Sequence, residues 1–330
     1  MDRHILDDID KKLVNLVQSR FPLAVEPYNE LGLQLGTDRD DVISRIIRLK
    51  EIGLIRLIGP VMDARSIGYQ TTLVAMRAVS EHQQKAEQVI AEHPGVSHGY
   101  ERDNYFNLWF TLAIPAKASM EAELRQLTRT IESEAVFLLP AIKLFKIGAY
   151  FNMYNDNDEM ASVVACSRGT LADEVELSQE DKTVIMKLQQ DLPLVPAPFT
   201  PMAEQLGMDV EAFLAKCQSL VQRGIVRRVG ASINHHRAGY KVNAMVCWVA
   251  PSDRVDAVGW RLASLPEVSH CYERKPNALW PYNLFAMIHS RTRGRCNEIV
   301  NEMSAEIGLA DCVVLFSTRE FKKTRVKYLL

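Results

Sequence analysis

Sliding the 330-residue chain along itself by 171 positions lays one half over the other. A repeat of this kind restricts the chain to a single unit built twice. Leu6 falls on Leu177, Asp10 on Asp181, Pro22 and Leu23 on Pro193 and Leu194, Gly36 on Gly207, Gly53 on Gly224, Arg56 on Arg227, Gly59 on Gly230, and Gly68 and Tyr69 on Gly239 and Tyr240. After one inserted residue, His98, Tyr100, Glu101 and Arg102 fall on His270, Tyr272, Glu273 and Arg274. Between the copies, residues 155–176 are polar and acidic at both ends, the composition of a solvated linker. The copies are therefore expected to pair within one chain as an intrachain pseudo-dimer, and two such chains could pair again as a homodimer.

Within each copy the hydrophobic period changes. Apolar residues recur at three and four from Leu6 to Val17, Tyr28 to Leu35 and Asp38 to Ile52, which predicts three helices. Thr37 or Asp38 can cap the third helix, and Gly53 stands where a helix C-terminus favours glycine. The run LIRLIGPVMD then reads as a short β wing, and three helices with a wing make a winged helix-turn-helix. Beyond Gly68, strands and helices follow in the order β-α-β-β-α-β, the ferredoxin-like plan. The fold class is α+β, a tandem duplication of a winged helix-turn-helix and a ferredoxin-like domain. The expected domains are 1–66 and 67–154 in copy one, the linker at 155–176, and 177–238 and 239–330 in copy two.

A net charge of −2 is a poor match for a protein that grips a phosphate backbone. No apolar run approaches the ~18 residues that span a bilayer, and the first residues lack the apolar core of a secretory signal. A cytoplasmic protein without membrane contact is expected. Cys166, Cys217, Cys247, Cys271, Cys296 and Cys312 are scattered without a C-x-x-C pair, so no metal site is predicted from them.

The residues L-D-D-I-D near the start, the run R-I-I-R-L-K-E-I-G-L-I-R and the wing ending S-I-G-Y resemble the Lrp/AsnC family over almost the whole of each copy. That resemblance implies a winged helix coupled to a dimerising ligand domain, and a DNA-binding transcription regulator with a small-molecule effector is one reading. Three features oppose it. The first turns of the recognition helices carry Asp38, Asp40 and Asp41 in copy one, and Asp209 and Glu211 in copy two, which would repel DNA. The Gly-Asp effector loop of the regulators is replaced by E-R-D-N-Y-F-N and E-R-K-P-N-A-L-W-P-Y-N. Finally, V-S-H-G-Y-E-R-D-N-Y-F-N-L-W-F, C-Y-E-R-K-P-N-A-L-W-P-Y-N-L-F-A-M-I-H and the wing end H-H-R-A-G-Y resemble the siroheme decarboxylases, Lrp-related enzymes of the alternative haem and haem d1 pathways. In that family two different subunits pair, and this chain would be both subunits fused. The resemblance implies conversion of siroheme to 12,18-didecarboxysiroheme, no cofactor beyond the iron of the substrate, and no nucleic-acid partner.

Residues two apart on a strand share a face, so His98, Tyr100 and Arg102 project together, as do His270, Tyr272 and Arg274. On an edge strand this would be a solvated polar face. In a site for a flat, many-armed acidic pigment, it supplies an acid and a clamp. Losing CO₂ from an acetate on a pyrrole needs an electron sink, which prior protonation of the ring supplies. His98 or His270 is the candidate proton donor or iron ligand, with Tyr100 or Tyr272 beside it. His236 at the second wing end is a third candidate. Arg48, Arg56 and Arg102, and Arg223, Arg227, Arg228 and Arg274, are candidates for the carboxylate rim. Trp109, Phe110, Trp280 and Phe285 could wall the ring, although aromatic residues on strands are more often core. His4, His82, His93 and His289 show no partner pattern and are expected to be structural or exposed. Arg48 faces Ser219 by the repeat and the copy-two hairpin is longer, so the unequal halves suggest one working site at their interface.

Overall fold

The computed structural model describes residues 6–154 and 175–330; His4, Cys166 and nearly all of the expected linker lie outside them. Each copy opens with three helices: α1 (Asp8–Ser19), α2 (Pro27–Leu35) and α3 (Arg39–Glu51) in the first. Asp7 caps α1 in a reciprocal box with Asp10, and Asp38, one of the two expected candidates, caps α3 by accepting from the Asp41 amide at 2.8 Å. Gly53, at φ 70°, takes the left-handed turn after α3 that a side chain would strain.

The wing is not a hairpin within its own copy. Strand β1 (Ile55–Met62) pairs antiparallel with its counterpart β6 (Val226–Ile233) from the other half, Gly59 opposite Gly230. A single strand cannot satisfy its own backbone, and here the repeat supplies the missing neighbour. The same pairing fuses the helical domains. The second copy's α6 (Gln179–Leu188), α7 (Phe199–Glu204) and α8 (Val210–Gln222) share one apolar core with α1 to α3.

The ferredoxin-like units contain β2 (Tyr69–Arg77), α4 (Ser80–Glu92), β3 (Val96–Arg102), β4 (Leu108–Pro115), α5 (Met120–Ile131) and β5 (Ala135–Ile147) in copy one. Copy two repeats them as β7 (Val242–Trp248), α9 (Val255–Ser264), β8 (Val268–Arg274), β9 (Leu284–Ser290), α10 (Arg293–Ile307) and β10 (Cys312–Lys323). The two sheets close into one eight-stranded barrel in the order β10-β3-β4-β2-β5-β8-β9-β7. The seams are β5 against β8 and β10 against β3. Strands β3 and β8 are therefore hydrogen-bonded on both sides, and the edge-strand reading of their polar faces does not hold. Closure removes the exposed edges that two separate sheets would present.

Corresponding strands lie four places apart around the ring and run in the same direction, so the pseudo-two-fold axis follows the barrel axis. Both helical domains thus sit over the same barrel end. At the other end Trp109, Phe106, Phe137 and Trp280 fill the interior, with the two indole rings 5.1 Å apart. No described helix is long and apolar enough to cross a membrane.

Candidate functional site

At the barrel end under the paired wings, the alternation of β3 and β8 turns their polar residues to the inner face. Cross-strand pairing sets Tyr100 beside Trp109 and His98 beside Thr111 in one half, and Tyr272 beside Phe285 and His270 beside Met287 in the other. The histidines thus stand at the wing end, facing one another across the axis, and the charge of His98 lowers the affinity of His270 for a proton. His98 Nδ1 meets Ser97 Oγ at 2.9 Å, and His270 Nδ1 meets Ser269 Oγ at 3.0 Å, so each motif V-S-H orients its own ring.

His98 is exposed by surface area yet closely surrounded by protein atoms, the combination expected of a side chain lining an enclosed, water-accessible chamber. Burial first, then the nearby Lys323 ammonium, pushes its pKa down to about 4, while the Glu320 carboxylate opposes the shift. His270 is pushed to about 3 by burial and by surrounding positive groups. Both imidazoles are neutral at pH 7 in the unliganded protein. The Tyr100 and Tyr272 phenols are raised, chiefly by burial.

Deeper in the barrel, Arg102 Nη1 donates to the Leu315 carbonyl at 2.7 Å, and Arg274 Nη1 donates to the Leu139 carbonyl at 2.8 Å. The Nε atoms of both guanidiniums have no hydrogen-bond partner, and neither side chain has a carboxylate partner among the described ion pairs. Burial lowers both pKa values to about 10, well short of neutralising them. Two buried cations without counter-ions are costly to the fold and mark a place where a ligand's negative charge belongs.

The wings contribute a second cationic tier. Arg56 of β1 pairs with Glu320 at 2.7 Å, Arg227 of β6 pairs with Asp63, and Lys323 Nζ lies 3.6 Å from Glu320. The Tyr100 hydroxyl donates to Glu320 at 3.4 Å. The halves diverge here. Glu320 and Lys323 stand opposite Tyr100 and His98, whereas the matching positions opposite Tyr272 and His270 are Leu144 and Ile147.

Not every expected residue reaches the chamber. Arg48 is held by Asp10 at 2.5 Å and Arg223 by Asp181 at 2.8 Å, so both fasten α3 and α8 to the first helix of their own domain. Arg228 donates to the Gln18 carbonyl, a link between the wing and α1, although His270 still feels its charge. Trp109 and Trp280 are 1% and 5% exposed and plug the far end as core. Phe110 faces away from the interior, under α4 and α5. His236 lies exposed at the wing end, its ring 4.1 Å from buried His235. His93 and His82 pair with Glu123 and Glu132 on the outer helices. His289, by contrast, points into the barrel end beside His235, 5.2 Å between rings, and is not a surface residue. Sequence reasoning also missed Glu320 and Lys323, although sliding β10 over β5 sets them against Leu144 and Ile147 and would have exposed the difference.

Among the described residues no group of three His, Cys, Asp or Glu side chains could hold a metal ion. Two depressions elsewhere, one lined by Gln179, Lys182 and Leu330 and the other by Arg65, Gln70 and Glu121, are open to solvent and carry no comparable convergence.

Two known domain families each match the chain twice. Residues 10–56 and 181–227 match the siroheme decarboxylase NirDL-like HTH domain, and residues 66–146 and 237–322 match the AsnC-like ligand binding domain. Siroheme decarboxylase of Hydrogenobacter thermophilus is 36% identical over 318 residues, covering 96% of this chain and 94% of that protein. The siroheme decarboxylase beta subunit of Methanosarcina barkeri is 41% identical over 150 residues, 44% of this chain and 99% of its own length, the size expected of one copy. The crystal structure of siroheme decarboxylase NirDL in complex with an iron-uroporphyrin III analogue superimposes with a TM-score of 0.71 at 31% identity, covering 97% of this chain and 94% of that one.

Proposed function

The chain belongs to the siroheme decarboxylase family, and on that premise we propose that it is a carboxy-lyase that removes the carboxyl groups of two acetate arms of siroheme to give 12,18-didecarboxysiroheme. The observation that carries this reading is the pair of buried, carboxylate-free guanidiniums, Arg102 and Arg274, beneath two histidines in one chamber. A many-armed acidic pigment supplies the missing negative charge, and its carboxylates can also draw Arg56, Arg227 and Lys323 away from Glu320 and Asp63.

The same charge prepares the acid. In the free protein, His98 is held neutral by burial and by Lys323. Entry of a polyanion reverses that field and raises the pKa of both histidines toward the working pH. The Glu320 carboxylate already favours protonation of His98, whereas the main influences on His270 are burial and positive groups, all of which oppose it. We therefore assign the proton-donor role to His98, with Tyr100 held by Glu320 beside it, and give His270 and Tyr272 to binding and orientation. Protonation of the ring draws the electron pair of the breaking carbon–carbon bond inward as CO₂ departs, and the pair returns to the side-chain carbon when that carbon takes up a proton and the ring gives its own back, so each turn consumes one proton. The substrate's iron is the only metal this scheme contains, and the reaction belongs in the cytoplasm in the same proposal.

Anaerobic incubation with siroheme, followed by mass analysis of the pigment, tests it. Loss of two carboxyl groups is expected. Unchanged bound pigment would make the protein a tetrapyrrole carrier, and salt-sensitive retention of duplex DNA in place of pigment binding would make it a regulator.

A further inference from the structure

Four polar side chains at the wing end of the barrel, His235, His236, His289 and Asn243, take no part in the clamp described above. His235 is fully buried and its Nδ1 accepts from Lys323 Nζ at 3.2 Å, yet its Nε2 has no partner. His289 Nδ1 and both amide atoms of Asn243, which is 3% exposed, are likewise unsatisfied. Asn243 and His289 are direct cross-strand partners, and Phe151 stacks on His235 at 5.9 Å and meets His289 edge-on at 5.1 Å. Buried polar atoms are rarely left alone, so this cluster is a site for ordered water. From it the groups run both ways. His236 reaches solvent 4.1 Å from His235, while Lys323 pairs across the strands with His98 and His289 senses the charge of His270.

The repeat shows that this cluster is not part of the common scaffold. By register and offset, the positions of His235, His236, Asn243 and His289 are held in copy one by Ala64, Arg65, Thr71 and Ala113. The three histidines and the asparagine therefore stand in copy two alone.

We propose that His236, His235, His289 and Asn243, with their water, form a proton lead from solvent to the chamber, delivering through Lys323 to His98. The inference rests on the decarboxylase reading. Each acetate loses its carboxyl group as CO₂, the electron pair of the broken carbon–carbon bond stays on the carbon, and a new carbon–hydrogen bond takes up one proton. Two turns consume two protons and no electrons. Once a flat pigment fills the chamber, bulk water no longer reaches His98, and the donor must be recharged from another direction.

The test compares wild type with His235→Ala, His235→Gln and His289→Gln in siroheme turnover, with and without imidazole. Reprotonation becomes limiting in the variants, so kcat falls about tenfold to a hundredfold while KM stays within about twofold. The solvent deuterium isotope effect on kcat rises, and imidazole restores His235→Ala toward wild-type turnover. The glutamine variants keep the hydrogen-bonding surface and carry the test if the alanine variant does not fold. Folded variants with wild-type kcat and isotope effect would overturn the proton lead, as would a loss that imidazole does not repair and that leaves the isotope effect unchanged. Failure of wild type itself to decarboxylate siroheme would refute the parent reading instead, and the two results cannot be confused.

Discussion

Arg274 is the residue at which stability and substrate binding should part. Burial lowers its pKa from 12.5 to about 10, so holding the guanidinium charged in the folded chain costs about 3 kcal/mol. Its hydrogen bond to the Leu139 carbonyl returns about 1.5–3 kcal/mol. Replacing it by methionine, of similar length and without charge, deletes both contributions together. Arg274→Met should therefore leave the free energy of unfolding within about 1–2 kcal/mol of wild type, or raise it slightly. Siroheme, which loses its partner for a carboxylate, should bind about 2–5 kcal/mol more weakly, some thirtyfold to thousands-fold in Kd. Urea denaturation gives the first quantity. The second follows from quenching of Trp109 and Trp280 by the pigment, because both indoles lie in the same barrel. A variant that binds siroheme like wild type, or that loses more than about 3 kcal/mol of stability, would refute the assignment of this cation to the ligand.

His98→Ala should lower turnover by about 10²–10⁴ with folding intact, while His270→Ala should weaken binding more than it slows chemistry; the reverse pattern in single-turnover assays would move the acid to the second half. His235 has its pKa depressed from 6.5 to about 2, so between those values the unfolded chain binds a proton that the folded chain refuses, and stability falls as pH drops below about 6.5. That one group should remove about 2 kcal/mol between pH 8 and pH 5, and His235→Gln should flatten that part of the urea midpoint against pH. A Cβ at Gly230 would meet the Val17 and Gln18 carbonyls at 2.9 Å, whereas one at Gly59 meets the end of the Arg325 side chain at 2.7 Å and backbone carbonyls only at 3.6 Å. Gly230→Ala should thus cost about 1–3 kcal/mol in a thermal melt and Gly59→Ala distinctly less; equal effects would mean that the wing crossing is not tightly packed.

The winged helices, the ferredoxin-like order and the polar faces of β3 and β8 were legible because each is a local pattern: a period of three and four, a period of two, a cap or a glycine at a turn. Asp38 and Gly53 do in the structure what their positions predict. The rim arginines were less legible. Arg48 and Arg56 look alike in a sequence, and only the presence of Asp10 beside one and Glu320 beside the other separates a domain fastener from a site residue. Trp109 was equally ambiguous until packing with Trp280 made it core. His289 was dismissed for want of a partner in the sequence, because its partners come from the second wing and from the segment at Phe151.

What the chain determined alone is the unit, its duplication and the residue types that face one side of each strand, since spacing along a backbone fixes facing. Tertiary structure decided that the two sheets close into one barrel, that the wings pair with each other, and that one end of the barrel becomes a single chamber. The physical reason is that each copy leaves strands with unpaired backbone groups, and those groups are satisfied only by the other copy. Long-range pairing of this kind also decides which charges meet. That is why Glu320 and Lys323, more than two hundred positions from His98, distinguish the first half of the site from the second.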